Sequence, residues 1–231
     1  MKNIRKSAVI LIILLLVPIN LIGCKTKIKS NTDVKTKTDS KPKVSAVESA
    51  KIMADITVKD DREKSSKFSF YEKMLSNTSD MQKDVFLSAI KKGFSNYGVQ
   101  INDDQWNNVY NAYKDSLKKV NITTSKVTED DKSAIVMVKT TYIDFTSIRT
   151  QAASEAQQEV KAMQLTDINQ AKQKYVEVYA NHLISNFNSA QPSTDTKSRE
   201  FEFNKDKAFN EWTPKNTTDF ETELIDMAIG K

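Results

Sequence analysis

The stretch VNITTSKVTEDDKSAIVMVKTTYIDF, residues 120–145, contains two runs rich in β-branched side chains on either side of the polar segment EDDK at 129–132. β-branched residues favour strands, and a short polar segment between two such runs favours a turn. The stretch therefore predicts a β-hairpin that pairs residues 120–128 with residues 133–145. The alternation assigns two faces to the second strand, one with Ala134, Val136, Val138 and Tyr142, the other with Ile135, Met137, Thr141 and Ile143. Because both faces are apolar near the middle, we expect both to be covered.

Helical periodicity dominates the sequence before this hairpin. Apolar residues recur at three- and four-residue spacing over 46–59, which predicts a first helix. A shorter helix is predicted over 67–75. A third carries apolar residues from Met81 to Phe94 and is expected to end near Gly98, because glycine readily adopts the left-handed conformation that terminates helices.

A fourth helix is predicted to begin at the segment NDDQW, residues 102–106. Asn102 is the expected N-cap, since Gln105 follows three residues later, as in a capping box. Asp103 and Asp104 would lie at the positive end of the helix dipole. The apolar stripe of this helix consists of Trp106, Val109, Tyr110, Tyr113 and Leu117.

After the hairpin the sequence returns to helical spacing and then to alternation. Helices are predicted over 147–163 and 166–190, and Pro192 ends the second. The segments REFEFN at 199–204 and AFNEWTP at 208–214 flank a polar turn and predict a second hairpin. A closing helix follows over 217–229, with Thr217 or Thr218 as its cap. This order predicts an α+β fold, a helix-rich single domain over residues 44–231 with two antiparallel hairpins forming a small sheet.

Trp212 precedes Pro214 at the end of the second hairpin, where an extended conformation is favoured. It is either a core plug between the last strand and the closing helix or an exposed platform for a ligand. Phe209 lies three residues before it, and Phe220 and Leu224 follow on the closing helix. These apolar neighbours favour the plug.

Residues 1–23 have the layout of a secretory signal peptide. Three basic residues open the chain, and a run of ten apolar residues follows at 8–17. That run is shorter than the about 20 apolar residues that a membrane-spanning helix needs. The segment LIGC at 21–24 follows and contains the one cysteine of the chain.

These four residues resemble the bacterial lipobox. The resemblance implies that the Cys24 thiol receives a diacylglyceryl group, with acyl chains such as palmitate, and that signal peptidase cuts between Gly23 and Cys24. Two chains of ordinary length would hold the protein at the membrane almost permanently, since each buried methylene contributes about 0.8 kcal/mol. The alternatives are an ordinary signal peptide with an incidental cysteine and an uncleaved signal anchor.

A lysine-rich segment at 25–43 follows, with seven Lys, two Asp and two aliphatic side chains. Such a composition buries too little apolar surface to offset its ordering entropy, so residues 24–43 are interpreted as a lipidated cysteine and a disordered tether. The lysines would attract anionic lipid or wall polymer, or they serve solubility and spacing alone. Residues 44–231 carry 25 basic and 28 acidic side chains. This slight excess of negative charge argues against a nucleic-acid partner.

The lipobox and three further stretches resemble an uncharacterised family of surface lipoproteins of Gram-positive bacteria. The stretches are AYKDSLKKVNITTSKVTEDDKSAIVMVKTTYID, KYVEVYANHLISNFNSAQPS and EWTPKNTTDFETELIDMAIG, within residues 46–230. The resemblance implies localisation at the outer face of the cell membrane and a domain of this fold class, without an activity to transfer. The chain resembles more weakly the cone-shaped, curved-sheet domains of the nuclear-transport-factor type. The two helices predicted between the hairpins are not part of the plan of those domains.

The sequence indicates few candidates for chemistry. His182 is the one histidine, and a metal site would need further ligands of its kind, so a packed or surface histidine is favoured. The turn at 129–131 lacks the alternating ligands and central glycine of a calcium loop. His182 could act as the general base of a catalytic serine, but the sequence has no nucleophile-elbow motif around a serine. The aromatic stripes at 106–113 and 175–179 could line a groove, although core packing is favoured.

The sequence thus predicts neither a cofactor nor a metal. A non-catalytic binding or interaction module at the cell envelope is favoured. The alternatives are an envelope-acting enzyme or enzyme accessory, and the solute-binding lipoprotein of a transporter.

Overall fold

The computed structural model describes residues 44–63, 65, 78–95, 97–206 and 210–231. The predicted signal peptide, Cys24, the tether and the helix predicted over 67–75 lie outside these residues. Six helices are described: α1 Ala46–Lys59, α2 Thr78–Ser95, α3 Asp103–Lys118, α4 Phe145–Ala162, α5 Ile168–Ser189 and α6 Thr217–Ala228. Four strands accompany them: β1 Ile122–Glu129, β2 Ser133–Thr140, β3 Lys197–Asp206 and β4 Glu211–Pro214. The predicted α+β class is confirmed.

The described residues group into two compact units. Unit 1 comprises Asp80–Asp115 and Phe145–Ala190, and it contains α2, most of α3, α4 and α5. Unit 2 comprises residues 44–79 as far as they are described, Ser116–Asp144 and Gln191–Lys231, and it contains α1, the four strands and α6. The sequence predicts one domain over 44–231, without a linker that would mark this division.

The core of unit 1 is an aromatic cluster. Trp106 packs against Phe94 and Tyr179, with ring centroids 5.7 and 6.3 Å apart. Tyr113 packs edge-on against Phe145 and Phe187 at 5.8 and 5.7 Å. All six side chains are buried. The prediction that the aromatic stripes are core is therefore confirmed.

The two predicted hairpins form one antiparallel sheet in unit 2, in the order β1-β2-β3-β4. The central pair joins β2 to β3 along its whole length, from Ser133 opposite Asn204 to Thr140 opposite Lys197. β2 ends at Thr140 rather than continuing to Phe145. Its continuation turns away because the Ile143 N–H donates to the Ala228 carbonyl and the Ser193 N–H donates to the Tyr142 carbonyl.

In the part of the chain that the structure describes, α1 and α6 lie on the same face of the sheet: the Thr124 hydroxyl donates to Val47 of α1, and Phe220 of α6 packs against Phe201 and Phe203, which share the face of Thr124. The β2 residues on this covered face, Ala134, Val136 and Val138, are buried. On the opposite face Ile135 and Met137 are only partly buried. For the residues that the structure describes, the expectation that β2 is covered on both faces is therefore wrong. Aliphatic side chains on a half-exposed strand can reach partial burial against their cross-strand neighbours without a second layer.

Trp212 lies opposite Lys205 in the β3–β4 pair and is only 4% exposed. Phe220 on α6 packs edge-on against Phe201 and Phe203, with ring centroids 4.8 and 5.5 Å apart. The prediction of a buried plug is confirmed. Phe209, one of the neighbours that favoured it, lies outside the described residues.

Candidate functional site

The site residues that the sequence singles out most strongly, Gly23 and Cys24, lie outside the described residues, so lipid attachment stays a prediction. The described residues offer three further arrangements of polar side chains. Two of them are in unit 1, around α5, and the third is a face of the sheet in unit 2.

The first arrangement holds His182 between two glutamates of the neighbouring helix. The His182 Nδ1 atom lies 3.2 Å from Glu155, and the Nε2 atom lies 3.0 Å from Glu159. Glu155 and Glu159 are one helical turn apart on α4, so both carboxylates point to the same side of the helix. A neutral imidazole carries one N–H, so the imidazolium form is the one that donates to both carboxylates.

Polar contacts surround Glu155 in this arrangement. Gln151 donates from its side-chain amide at 2.8 Å, and Asn186 donates at 3.2 Å. These hydrogen bonds, that of Gln151 first, and the nearby His182 lower the pKa of Glu155, against the opposing effect of burial. The carboxylate thus stays ionised and serves as an acceptor for donors from its own helix and from α5.

This arrangement is a weak basis for catalysis or metal binding. Both ring nitrogens of His182 face carboxylates, which leaves neither of them directed at a nucleophile. Within the described ranges, histidine, cysteine and acidic side chains form no group of three or more suited to a metal ion. The interpretation of His182 as a packed or surface histidine fits its position, since 28% of its side chain is exposed.

The second arrangement is a small cavity of about 140 Å³ near the N-terminus of α3, lined by Gln100, Asn102, Gln105, Gln173, Val176 and Glu177. Ligand pockets usually measure about 300–1,000 Å³. This cavity is smaller than that range.

Side-chain amides around this cavity join the segment before α3 to α5. Gln173 accepts from the Gln100 N–H and donates to the Gln100 carbonyl, both at 2.8 Å. Gln105 donates to the Glu177 carbonyl and to Asn181, again at 2.8 Å. The Asn102 side chain accepts from the Gln105 N–H at 3.2 Å, which confirms Asn102 as the cap of α3. These pairs have a clear structural role in fixing the start of α3.

The acidic segment at 129–131 forms a turn in which the Asp130 carboxylate accepts hydrogen bonds from the backbone of the turn itself. Asp130 accepts from the N–H groups of Lys132 and Ser133, both at 2.7 Å, and from the Ser133 hydroxyl at 3.0 Å. The hydrogen bond from Lys132, and then those from Ser133, lower the pKa of Asp130. This arrangement favours the solvated turn over a calcium loop.

The third arrangement is the sheet face that α1 and α6 leave uncovered, here called the open face. Ile135 and Met137 lie at its centre. The pairing register surrounds them with polar residues, namely Thr123, Ser125, Lys139, Ser198, Glu200, Glu202, Asn204 and Thr213. The alternation in REFEFN already indicated one polar face of β3. β2 has apolar residues on both of its faces. The sequence of β2 therefore did not indicate that the whole sheet has one polar, uncovered face.

The outer edge of β1 is protected against strand addition. The register shifts between Lys126 and Thr128, so Val127 forms a bulge and is 45% exposed. Lys126 lies beside the bulge and is exposed. Bulges and lysines are common devices that discourage edge-to-edge pairing. The open face is therefore a better candidate for contacts than this edge.

No family model and no curated protein matches the chain. Its fold is similar to that of a protein described as a lipoprotein. That protein is ycdA of Bacillus subtilis, whose crystal structure matches with a TM-score of 0.58 at 16% sequence identity. The match covers 80% of this chain and 56% of that chain, so the present sequence spans little more than half the length of ycdA. At this identity the similarity shows the fold alone.

Among the helices of the described residues, none has the length and apolar character needed to cross a membrane.

Proposed function

We propose that the chain is a lipoprotein, held at the outer face of the cell membrane through diacylglyceryl-Cys24, whose folded part is a non-catalytic interaction module. The segment LIGC, placed directly after a basic and apolar leader, carries the anchoring half of this proposal. The similarity in fold to a protein described as a lipoprotein supports it.

The open face is the surface that supports the second part of the proposal, the interaction with a partner. It is an extended surface rather than a pocket, with two aliphatic side chains surrounded by hydroxyl, acidic and basic groups. Strand spacing and length give it an area of roughly 400 Å². A stable interface buries about 800 Å² on each partner, so a face of this size suits a transient protein partner. The paired state of His182 supports a non-catalytic role over the enzyme alternative.

Photo-crosslinking in intact cells tests both halves. We expect a photoreactive residue at Met137, in the centre of the open face, to give a protein adduct in the membrane fraction. A photoreactive residue at Ser185, exposed on α5, is the matched control and should give none. Glu200→Lys together with Glu202→Lys should abolish the Met137 adduct while leaving the thermal melt unchanged. Equal adducts from Met137 and Ser185 would contradict the interaction surface, and recovery of the chain in the soluble fraction would contradict the anchor.

A further inference from the structure

The methionine side chains that the structure describes differ in their access to solvent. Met53 of α1 and Met227 of α6 are buried, with exposed fractions of 0% and 6%. Met163, which follows the end of α4, is 37% exposed. Met137 lies in the middle of β2 on the open face and is only partly buried. A small reactant dissolved in water therefore reaches Met137 and Met163 more readily than the two buried thioethers.

Polar, exposed neighbours flank Met137 on the open face. Ser125 of β1 and Glu200 of β3 lie directly opposite it in the two strand pairs, and both are exposed. Side chains that lie directly opposite in an antiparallel pair have Cβ atoms about 4.5–5.5 Å apart. Because the serine side chain is much shorter than that of methionine, it does not cover the Met137 sulfur on the β1 side.

The characteristic reaction of an accessible thioether is the gain of one oxygen atom. Methionine is oxidised to its sulfoxide, and methionine sulfoxide reductases reverse the reaction. With hypochlorous acid, the sulfur gives up an electron pair and gains the oxygen atom, while the O–Cl bond breaks and chloride and a proton are released. In the reverse reaction the oxygen leaves as water, and a pair of thiols of the reductase forms a disulfide. A chain outside the cytosol meets such oxidants away from the cytosolic thiol pools.

Oxidation of Met137 is compatible with the fold of the free chain. The new oxygen is a hydrogen-bond acceptor, and on the open face water and the Ser125 hydroxyl are donors within its reach. The same change at Met53 would place an unpaired polar atom in the core of unit 2. Position therefore decides whether a sulfoxide alters the surface or disrupts the fold.

A bound partner changes this balance. Ile135 and Met137 are the aliphatic side chains at the centre of the open face, and the centre of an interface is its most apolar and least hydrated part. A partner that covers this centre removes water from the sulfoxide oxygen, and the ionised Glu200 carboxylate opposite is an acceptor only. A buried polar group that lacks a hydrogen bond weakens the docked state.

We propose that Met137 is a reversible oxidation site that controls the open face: hypochlorous acid, or a related oxidant that transfers an oxygen atom, converts the thioether to the sulfoxide, and the oxidised face releases its protein partner. The inference rests on the proposed function of the open face. Met163, which is also open to the oxidant but lies in unit 1, is oxidised without this effect.

Mass spectrometry of the full chain, purified with its lipid anchor, tests the modification itself. Lysine residues separate Met53, Met137, Met163 and Met227, so they fall into four tryptic peptides. In dilute hypochlorite we expect Met137 and Met163 to be oxidised several-fold faster than Met53 and Met227. A Met137 that resists oxidation as strongly as Met53 would overturn the proposal, and so would a large drop in melting temperature that accompanies its conversion.

Photo-crosslinking in membranes tests the control of binding. The anchored chain carries a photoreactive residue at Ser125, opposite Met137, and is oxidised until Met137 is partly converted. Irradiation then divides one sample into adduct and free chain. We expect the Met137 sulfoxide to be several-fold rarer in the adduct than in the free chain, and the Met163 sulfoxide to be equally frequent in both. Oxidation of the partner would lower the yield of adduct without sorting the chains by Met137.

Leucine variants supply a matched pair. For each chain the adduct yield with oxidant is divided by the yield without it, so a change in the unoxidised yield does not enter the comparison. The ratio should fall several-fold below unity for the native and Met163→Leu chains and stay close to unity for Met137→Leu.

The outcomes separate this inference from the proposed function. If the Met137 sulfoxide is equally frequent in adduct and free chain, or if the ratio falls as far for Met137→Leu as for the native chain, the control by oxidation is wrong and the interaction stands. If the unoxidised chain gives no adduct from Ser125, the interaction and its control are overturned together.

Discussion

Trp212 stabilises unit 2 through burial at the junction of β4 and the rest of the sheet. We expect Trp212→Ala to lower the unfolding free energy by about 3–5 kcal/mol, because a large buried side chain is replaced by a cavity. Urea denaturation followed by circular dichroism measures this change. Val127→Ala, at the exposed bulge of β1, is the control and should change stability by less than about 0.5 kcal/mol. Equal midpoints for the two variants would show that Trp212 contributes little.

Glu155 makes the stability of unit 1 sensitive to acid. Its pKa in the folded chain is lowered by its hydrogen bonds, first that of Gln151, and by His182. A carboxylate with a lowered folded pKa stabilises the fold above its ordinary pKa of about 4.5, and this contribution disappears as the pH falls through the folded value. Glu155→Gln removes the titration. We therefore expect the variant to lose less thermal stability than the native chain between pH 5 and pH 3.

Melting temperatures at pH 7, 5, 4 and 3 compare Glu155→Gln with Glu200→Gln, an exposed residue of the open face. The Glu200 variant controls for the loss of one acidic side chain. If the Glu155 variant loses as much thermal stability between pH 5 and pH 3 as the native chain, the contacts between α4 and α5 do not depend on the ionised carboxylate.

The helix α5 illustrates how local signals decide the ends of an element. Asp167 is its N-cap and accepts from the Gln170 N–H at 2.7 Å. We expect Asp167→Ala to cost about 1 kcal/mol, since an N–H group at the helix start loses its partner. Asp167→Asn keeps an acceptor and should stay close to the native stability. Chemical denaturation of the two variants side by side checks this, and an equally large loss for Asn would exclude the cap as the cause.

Sequence patterns predicted the bounds of the helices and strands better than they predicted which elements pair or pack together. The range 46–59 predicted for α1 agrees with the structure, where Ser45 caps the start and Asp60 ends the helix in a left-handed conformation. Alternation in β2 and β3 predicted strands but not which faces are covered. Pairing between β2 and β3 links residues about sixty positions apart, and period-two patterns indicate the face of a side chain without indicating the neighbouring strand.

At the scale of the whole molecule, the topology of the sheet brings together residues that are far apart in the sequence. Lys119, Lys139 and Lys197 are far apart in the chain, and the antiparallel sheet brings them to one end. The net charge of residues 44–231 is slightly negative, and it gave no sign that these lysines lie at one end of the sheet. The division into two units was equally hidden, because α3 continues across it without a linker.

Lipid attachment at Cys24 is the claim on which the proposed membrane location depends. Metabolic labelling with a clickable fatty acid tests it directly in a bacterium that processes lipoproteins, by comparing the native chain with Cys24→Ala and with Ser30→Ala as a matched control in the tether. The account predicts label on the native and Ser30→Ala chains, and for Cys24→Ala unlabelled precursor or protein shed into the medium. Equal label on the native and Cys24→Ala chains would contradict it.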